Sequence, residues 1–123
     1  MPASRSTRRS TRPKRSACPV SRTLDVLGDR WSLLVVRDLM RGKRRFADFL
    51  DSKEGIPTNT LAERLKRLVR AGIIESHRYS EHPPRVEYRL TEKGEELRPI
   101  IRAMVDWGVR HAGGRRPEPL VQS

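Results

Sequence analysis

The stretch EHPPRVEYRLTEKG, residues 81–94, indicates the fold more directly than any other part of this chain. Its adjacent prolines favour a tight turn, and the residues after them alternate between apolar and charged side chains. That period of two is typical of a half-buried strand. A similar strand, roughly residues 73–80, precedes the turn, and Thr91 can cap a helix that follows. The pattern therefore predicts a two-stranded hairpin set between helices.

Helical spacing of apolar residues surrounds this hairpin. The expected helices cover residues 19–27, 29–42 with Asp29 as the cap, 46–50 and about 58–71. A long last helix runs from the Thr91 cap to Gly113. The fourth could start at Thr58 after Pro57, or at a capping box of Thr60 and Glu63. Three helices, a basic fourth, a two-stranded wing and a long amphipathic helix predict a mainly α (α+β) fold, the winged helix-turn-helix. Such a wing beside a basic helix suits duplex DNA.

Charge is distributed unevenly along the chain, which has 27 basic and 15 acidic side chains and a formal charge of +12. This excess favours polyanionic partners such as nucleic acid. Residues 1–17 hold six of the basic groups, no acid and few apolar residues, so we expect a disordered leader. We expect one domain over residues 18–112 and a disordered tail over residues 113–123.

Cellular location is constrained by what the sequence lacks. No apolar run follows the basic leader as in a signal peptide, and no stretch approaches the roughly 20 apolar residues of a membrane span. A single cysteine, Cys18, excludes an internal disulfide and suits a reducing compartment. We therefore expect a cytoplasmic protein with no membrane partner.

Short motifs distributed along the chain resemble the HxlR-type transcriptional regulators, bacterial relatives of the MarR regulators. The matching pieces are Cys18-Pro19-Val20, Gly28-Asp29-Arg30-Trp31, Leu33-Leu34, Arg37-Asp38-Leu39, Gly42, Arg45-Phe46, Leu61, Arg64-Leu65, Leu68, Gly72-Ile73, Tyr79, Pro83 to Leu90, Thr91 and Gly94. The resemblance covers about residues 18–112, and the wing lacks the Asp-x-Arg of MarR proteins. Two positions depart from it: Ala47, where members often have a small polar cap, and Pro57, where many have Ser.

The start of the fourth helix is the candidate for reading DNA, because helix N-termini usually carry the base contacts in the major groove. Arg64 lies one turn further on and could bind guanine through two hydrogen bonds. The alternative is that these polar groups only cap and solvate a surface helix. The predicted recognition residues are Thr58, Asn59, Thr60, Arg64 and Arg67.

Cations at the wing tip and in the basic turn after the second helix are candidates for phosphate or minor-groove contacts. Solvated surface charge is the alternative. The leader could add a minor-groove arm, although a plain disordered tail is favoured. The predicted wing and flank residues are Arg78, His82, Arg85, Arg44 and Arg45.

The first and last helices carry more apolar positions than a small domain needs, and a two-fold dimer would bury them. The resemblance likewise implies a homodimer on a pseudo-palindromic DNA site, against the alternative of an ordinary monomeric core. The predicted dimerisation residues are Val20, Leu24, Leu97, Ile100, Ile101, Met104 and Trp107.

Cys18 precedes the first helix with Arg22 one turn on, and both features favour the reactive thiolate. In some relatives the matching cysteine senses oxidants, whereas a small buried apolar residue is the alternative. The three histidines are scattered, and neither a catalytic arrangement nor a phosphate loop is present in the sequence, so we expect no enzyme, cofactor or metal.

The leading hypothesis is thus a sequence-specific, homodimeric regulator of transcription, a repressor more often than an activator, released by an unknown small-molecule or redox effector. A nonspecific architectural nucleic-acid-binding protein and a protein-binding winged helix are the alternatives.

Overall fold

The computed structural model describes residues 16–115, so most of the expected leader and tail lies outside the described residues. The elements in chain order are α1 Pro19–Leu27, α2 Arg30–Met40, α3 Phe46–Leu50, α4 Thr58–Arg70, β1 Ile74–Glu81, β2 Pro84–Leu90, α5 Glu92–Glu95 and α6 Arg98–His111. The predicted mixed α+β fold, with a two-stranded wing after the fourth helix, is confirmed.

The α1–α2 junction is tight and closed by a carboxylate cap. A Cβ on Gly28 would lie 2.3 Å from the carbonyl oxygen of Leu24, so only glycine fits there. Asp29 Oδ1 accepts hydrogen bonds from the amides of Trp31 and Ser32 at 2.9 and 3.0 Å. The predicted end of the first helix and the Asp29 cap are both confirmed.

The two helices of the helix-turn-helix, α3 and α4, begin differently. At α3 the carboxylate of Asp48 reaches back to the amide of Arg45 at 3.1 Å, so Ala47 is not needed as a cap. Helix α4 starts at Thr58 with Pro57 as its N-cap, two residues before Thr60. The Thr60–Glu63 capping box therefore does not form.

The wing is an antiparallel pair that runs from Ile74 opposite Leu90 to Glu81 opposite Pro84. The register shifts by one residue between Arg78 and Ser80, which leaves Tyr79 as a bulge. At the base Ile74 and Leu90 are buried, whereas the tip is exposed.

The basic turn and α3 hold the wing in place. The amide of Tyr88 in β2 donates to the carbonyl of Arg44 at 2.7 Å. The ring of Tyr88 packs edge-on against Phe49 of α3, with 6.4 Å between the ring centroids. The wing is thereby joined to the motif at its middle as well as at its base.

The expected long last helix is two helices, which corrects the sequence prediction. Thr91 caps only α5, where its hydroxyl accepts from the amide of Gly94 at 3.1 Å. Pro99, in the first turn of α6, has no amide to donate to the carbonyl of Glu95, so the two cannot join as one regular helix. Helix α6 then ends at His111, close to the predicted Gly113 stop.

The core lies between α2, α4, the wing base and α6. Its buried apolar residues are Leu27, Val35, Val36, Leu39, Met40, Phe49, Ile56, Leu61, Leu65, Leu68, Ile73, Ile74, Leu90, Leu97 and Ile101. Leu97 and Ile101, expected at a dimer interface, are therefore core residues of the subunit, which corrects that prediction. Leu97 is the N-cap residue of α6 and Ile101 lies on its inward side, whereas Ile100, Met104 and Trp107 share another side.

Within residues 16–115, no helix combines the length and the apolar composition needed to cross a lipid bilayer.

Candidate nucleic-acid interface

The N-terminal turn of α4 is exposed and polar. Thr58 and Asn59 are exposed and Thr60 is half-buried, while Leu61 behind them is fully buried. Pro57 at the N-cap position provides no side-chain cap, so the first amides of the helix can donate to a phosphate. The predicted base-reading residues are thus accessible on one surface.

Arg64 does not project outward from α4 as the helical pattern predicted. Its Nε donates to Oδ1 of Asp29 at 2.8 Å, and its Nη1 pairs with the Glu63 carboxylate. Only 19% of the side chain is exposed. In the absence of DNA this guanidinium is bound by a carboxylate 35 residues earlier in the chain, and the guanine contact stays a prediction.

Arg67 also lies near Asp29 and Glu63, at longer distances than Arg64. Its Nη2 lies 3.5 Å from Oδ2 of Asp29, and its Nη1 lies 3.8 Å from Oε1 of Glu63. At 36% exposure, this side chain is shared between the protein and solvent.

Asp29 remains ionised in this cluster. Partial burial alone would raise the pKa of its carboxyl, but the hydrogen bonds from Arg64 and Ser32 outweigh burial and hold that pKa far below its ordinary range. The carboxylate is negatively charged at every physiological pH.

The cations of α4 that face solvent freely are Lys66 and Arg70. Both are exposed, and neither forms an ion pair between residues 16 and 115. With Leu65, Val69, Ser76 and Tyr88 they line a shallow groove of about 290 Å³ between α4 and the wing. The sequence analysis did not include them in the site, although Thr58, Ala62, Lys66 and Arg70 repeat every four residues along one side of the helix.

The wing cations lie where they were predicted. His82 and Arg85 are exposed at the turn, and Arg78 is exposed with Glu81 at 3.8 Å. The guanidinium of Arg45 lies 4.3 Å from the ring centroid of Tyr79, the bulged residue. This cation–π contact joins the basic turn to the wing tip.

Arg44 is directed away from this surface. Its Nη1 donates to the carbonyls of Leu39 and Lys43, each at 2.9 Å, at the C-terminal end of α2. Its role as a flanking phosphate contact stays a prediction, and in the absence of DNA these two carbonyls bind the guanidinium.

The turn between α3 and α4 is held by charged groups on α2. Arg37 donates two hydrogen bonds to Glu54, at 2.8 and 2.9 Å, and also pairs with the buried Asp38. The hydrogen bonds from Arg37 lower the pKa of Glu54 to about 2. This network fixes the segment that presents the start of α4.

A family model for the HxlR-like helix-turn-helix matches residues 26–115. The chain belongs to the HxlR family. It is a transcriptional regulator with a helix-turn-helix fold, and membership of this family implies that it binds DNA.

Individual relatives agree with this assignment. The HTH-type transcriptional regulator sll1512 of Synechocystis is 46% identical over 87 residues, which cover 71% of this chain and 64%, just under two thirds, of that protein. The regulator YdeP of Bacillus subtilis is 40% identical, and the match covers 76% of this chain and 73% of that protein. The solved structure of the redox regulator HypR in its oxidized form has a TM-score of 0.69 and 38% identity, and the match covers 80% of this chain and 98% of that one.

This HxlR-family protein exposes an apolar face on α1 and α6. Val20 and Leu24 on α1 are 67% and 57% exposed, and Met104 and Trp107 on α6 are 51% and 59% exposed. Ile100, Ala103, Met104 and Trp107 line a shallow hollow of about 370 Å³. Five of the seven predicted dimerisation residues, the four named above with Ile100, are thus available to a partner.

Cys18 is exposed at the N-cap position of α1 in the single subunit. Arg22, expected to favour the thiolate, donates its Nε to the carbonyl of Ser16 at 3.1 Å. Within the described part of the chain, no group of three His, Cys, Asp or Glu side chains could hold a metal ion.

Proposed function

We propose that this protein is a cytoplasmic, homodimeric repressor that binds a pseudo-palindromic DNA site in a sequence-specific manner. The observation that carries the proposal is the exposed polar start of α4, in a subunit that also has an exposed cationic wing and exposed apolar residues on α1 and α6. The first two features suit a DNA groove and the third suits a second copy of the chain.

Bases are read by Thr58, Asn59 and Thr60 in the major groove. An asparagine amide can both donate to and accept from an adenine edge, which makes Asn59 the strongest candidate for base recognition. Lys66 and Arg70 bind phosphates along the same groove and position the helix without reading sequence.

The wing contacts the neighbouring backbone or minor groove through His82 and Arg85. Arg78 supports the same contact from β1. Tyr79 holds Arg45 near the wing, so Arg45 and the wing contact the same stretch of the DNA backbone. Because phosphate contacts release counterions, the affinity of this part depends on salt.

The apolar faces of α1 and α6 form the dimer. Two copies related by a two-fold axis place their recognition helices about 34 Å apart, one turn of DNA. The bound dimer blocks RNA polymerase. The observed exposures of Leu24, Met104 and Trp107 support this, because a single subunit seldom leaves such side chains in contact with water.

An oxidant or electrophile releases the dimer from DNA through Cys18. The thiol is exposed at the start of α1, the helix that carries part of the dimer face. HypR, solved in an oxidized form, is named as a redox regulator.

Asn59→Ala tests the proposal on the sequence that the full-length protein enriches from random DNA. We expect a loss of about 1–3 kcal/mol in binding free energy on the enriched site and little change on random DNA. Lys66→Ala is the control on the same helix, and it should weaken both kinds of DNA alike. Failure to enrich any sequence, or equal losses for Asn59→Ala on both DNAs, would favour the architectural alternative, which the +12 charge also suits.

A further inference from the structure

Resting on the proposed function, we infer that Asp29 sets DNA specificity by withholding Arg64 and Arg67 from phosphates. Asp29 belongs to the α1–α2 junction and lies outside the recognition helix. Two of the four cations of α4 nevertheless point to it.

The carboxylate of Asp29 is saturated with donors. Oδ1 accepts from the amides of Trp31 and Ser32 and from Nε of Arg64, all between 2.8 and 3.0 Å. Oδ2 accepts from the Ser32 hydroxyl at 2.6 Å and from Arg67 at 3.5 Å. One side chain therefore caps α2 and also fixes the rotation of α4 about its own axis.

Charge along α4 divides into a neutralised and an unneutralised set. Asp29 and Glu63 balance Arg64 and Arg67, whereas Lys66 and Arg70 have no ion-pair partner among residues 16–115. Phosphate contacts bind all sequences alike. Because Asp29 binds two arginines that could otherwise contact phosphates, it lowers affinity for random DNA. The same contacts hold Thr58 and Asn59 in register with the bases.

The test is Asp29→Asn in the full chain. Asparagine caps a helix about as well as aspartate, so α2 keeps its cap, but the charge that holds the arginines is gone. Each arginine that gains a phosphate should steepen the slope of log affinity against log salt by about 0.9, and should raise affinity for random DNA roughly fivefold at 0.15 M salt. Affinity for the enriched site should rise less, so the specificity ratio falls.

Two controls separate this effect from a general change in charge. Glu96→Gln removes one negative charge from the turn between α5 and α6 and should leave the salt slope unchanged. Adding Arg64→Gln and Arg67→Gln to Asp29→Asn should restore the wild-type slope on random DNA, since the freed cations are then absent.

The readouts for the two proposals are distinct. Whether the wild type prefers its enriched site tests the proposed function, and whether Asp29→Asn differs from wild type on random DNA tests the role of Asp29. The inference is overturned if the salt slope of Asp29→Asn equals that of the wild type. It is also overturned if Glu96→Gln produces the same change, or if the gain survives removal of both arginines.

Discussion

Arg64 illustrates how far a single residue can be interpreted from sequence. Its helical position identified it as outward-facing and cationic, and such a residue next to a helix N-terminus is typical of a base contact. The partner that redirects it lies 35 residues earlier, and no local pattern connects the two. Asp29 was recognised as a cap, because capping depends on neighbouring residues, but its long-range ion pair was not.

Arg64→Ala should therefore reduce stability more than sequence considerations alone would suggest. It leaves the partly buried carboxylate of Asp29 with one donor fewer, and we expect a loss of about 1–3 kcal/mol in the free energy of unfolding. Chemical denaturation measures it. Arg70→Ala, on the same helix but exposed, should leave stability within about 0.5 kcal/mol of wild type and weaken DNA binding instead. Equal stability of the two variants would contradict the structural role of Arg64.

Glu54 makes stability depend on acid pH. Its pKa is about 2 in the folded protein against an ordinary value of 4.5, so the unfolded chain binds the proton more readily. The contribution is present above about pH 4.5 and is lost as the pH falls towards 2. Glu54→Gln should cost about 2 kcal/mol at pH 7, allowing for partial exposure, and almost nothing near pH 2. Unfolding curves measured across this range, with Glu96→Gln as the control, would refute the assignment if the cost did not change with pH.

At the scale of elements, helix starts were easier to predict than helix continuity. Proline at the start of α1 and aspartate before α2 determine local geometry, and the structure places both helices where those residues indicated. The prediction of one continuous last helix was wrong because apolar spacing continues across the α5–α6 break. The interruption depends on one missing amide at Pro99. Apolar periodicity reports which side is buried and does not report whether the backbone is continuous.

The substitution Gly94→Ala tests how closely α5 packs against the base of the wing. A Cβ there would lie 2.2 Å from the carbonyl oxygen of Ile73, so either backbone must move. Gly94→Ala should lower the free energy of unfolding by roughly 2–4 kcal/mol.

Gly108→Ala is the matched control. A Cβ at Gly108 meets nothing within 4 Å, and alanine favours a helix interior over glycine, so we expect a gain of up to about 1 kcal/mol. Thermal unfolding of both variants provides the comparison. Similar effects at the two positions would contradict the packing of α5 described above.

At the scale of the whole molecule, the apolar residues of α6 serve two surfaces. The sequence predicted one apolar set for dimerisation, but Leu97 and Ile101 pack inside the subunit while Met104 and Trp107 remain exposed. A one-dimensional pattern identifies apolar positions and cannot divide them between a core and an interface. That division requires knowing on which side of α6 the rest of the domain lies.

Trp107→Asp should dissociate the proposed dimer, because a charge would be buried at its centre. Sedimentation equilibrium should show a monomer, with affinity for the enriched DNA site reduced at least tenfold because the two half-sites are no longer bound together. Val86→Asp alters an exposed apolar residue of the wing and should leave the dimer intact. A Trp107→Asp variant that stays dimeric would exclude this face as the interface.

The bonds between α4 and Asp29 also restrict how this regulator can be retargeted. A recognition helix grafted from a relative will keep the contacts to Asp29 only if it brings arginines to positions 64 and 67. The positions left for rewriting are those on the open side, at Thr58, Asn59, Lys66 and Arg70. In libraries that randomise the whole helix, most members would lose the contacts to Asp29. Libraries confined to the open side would sample new operators without changing how α4 contacts Asp29.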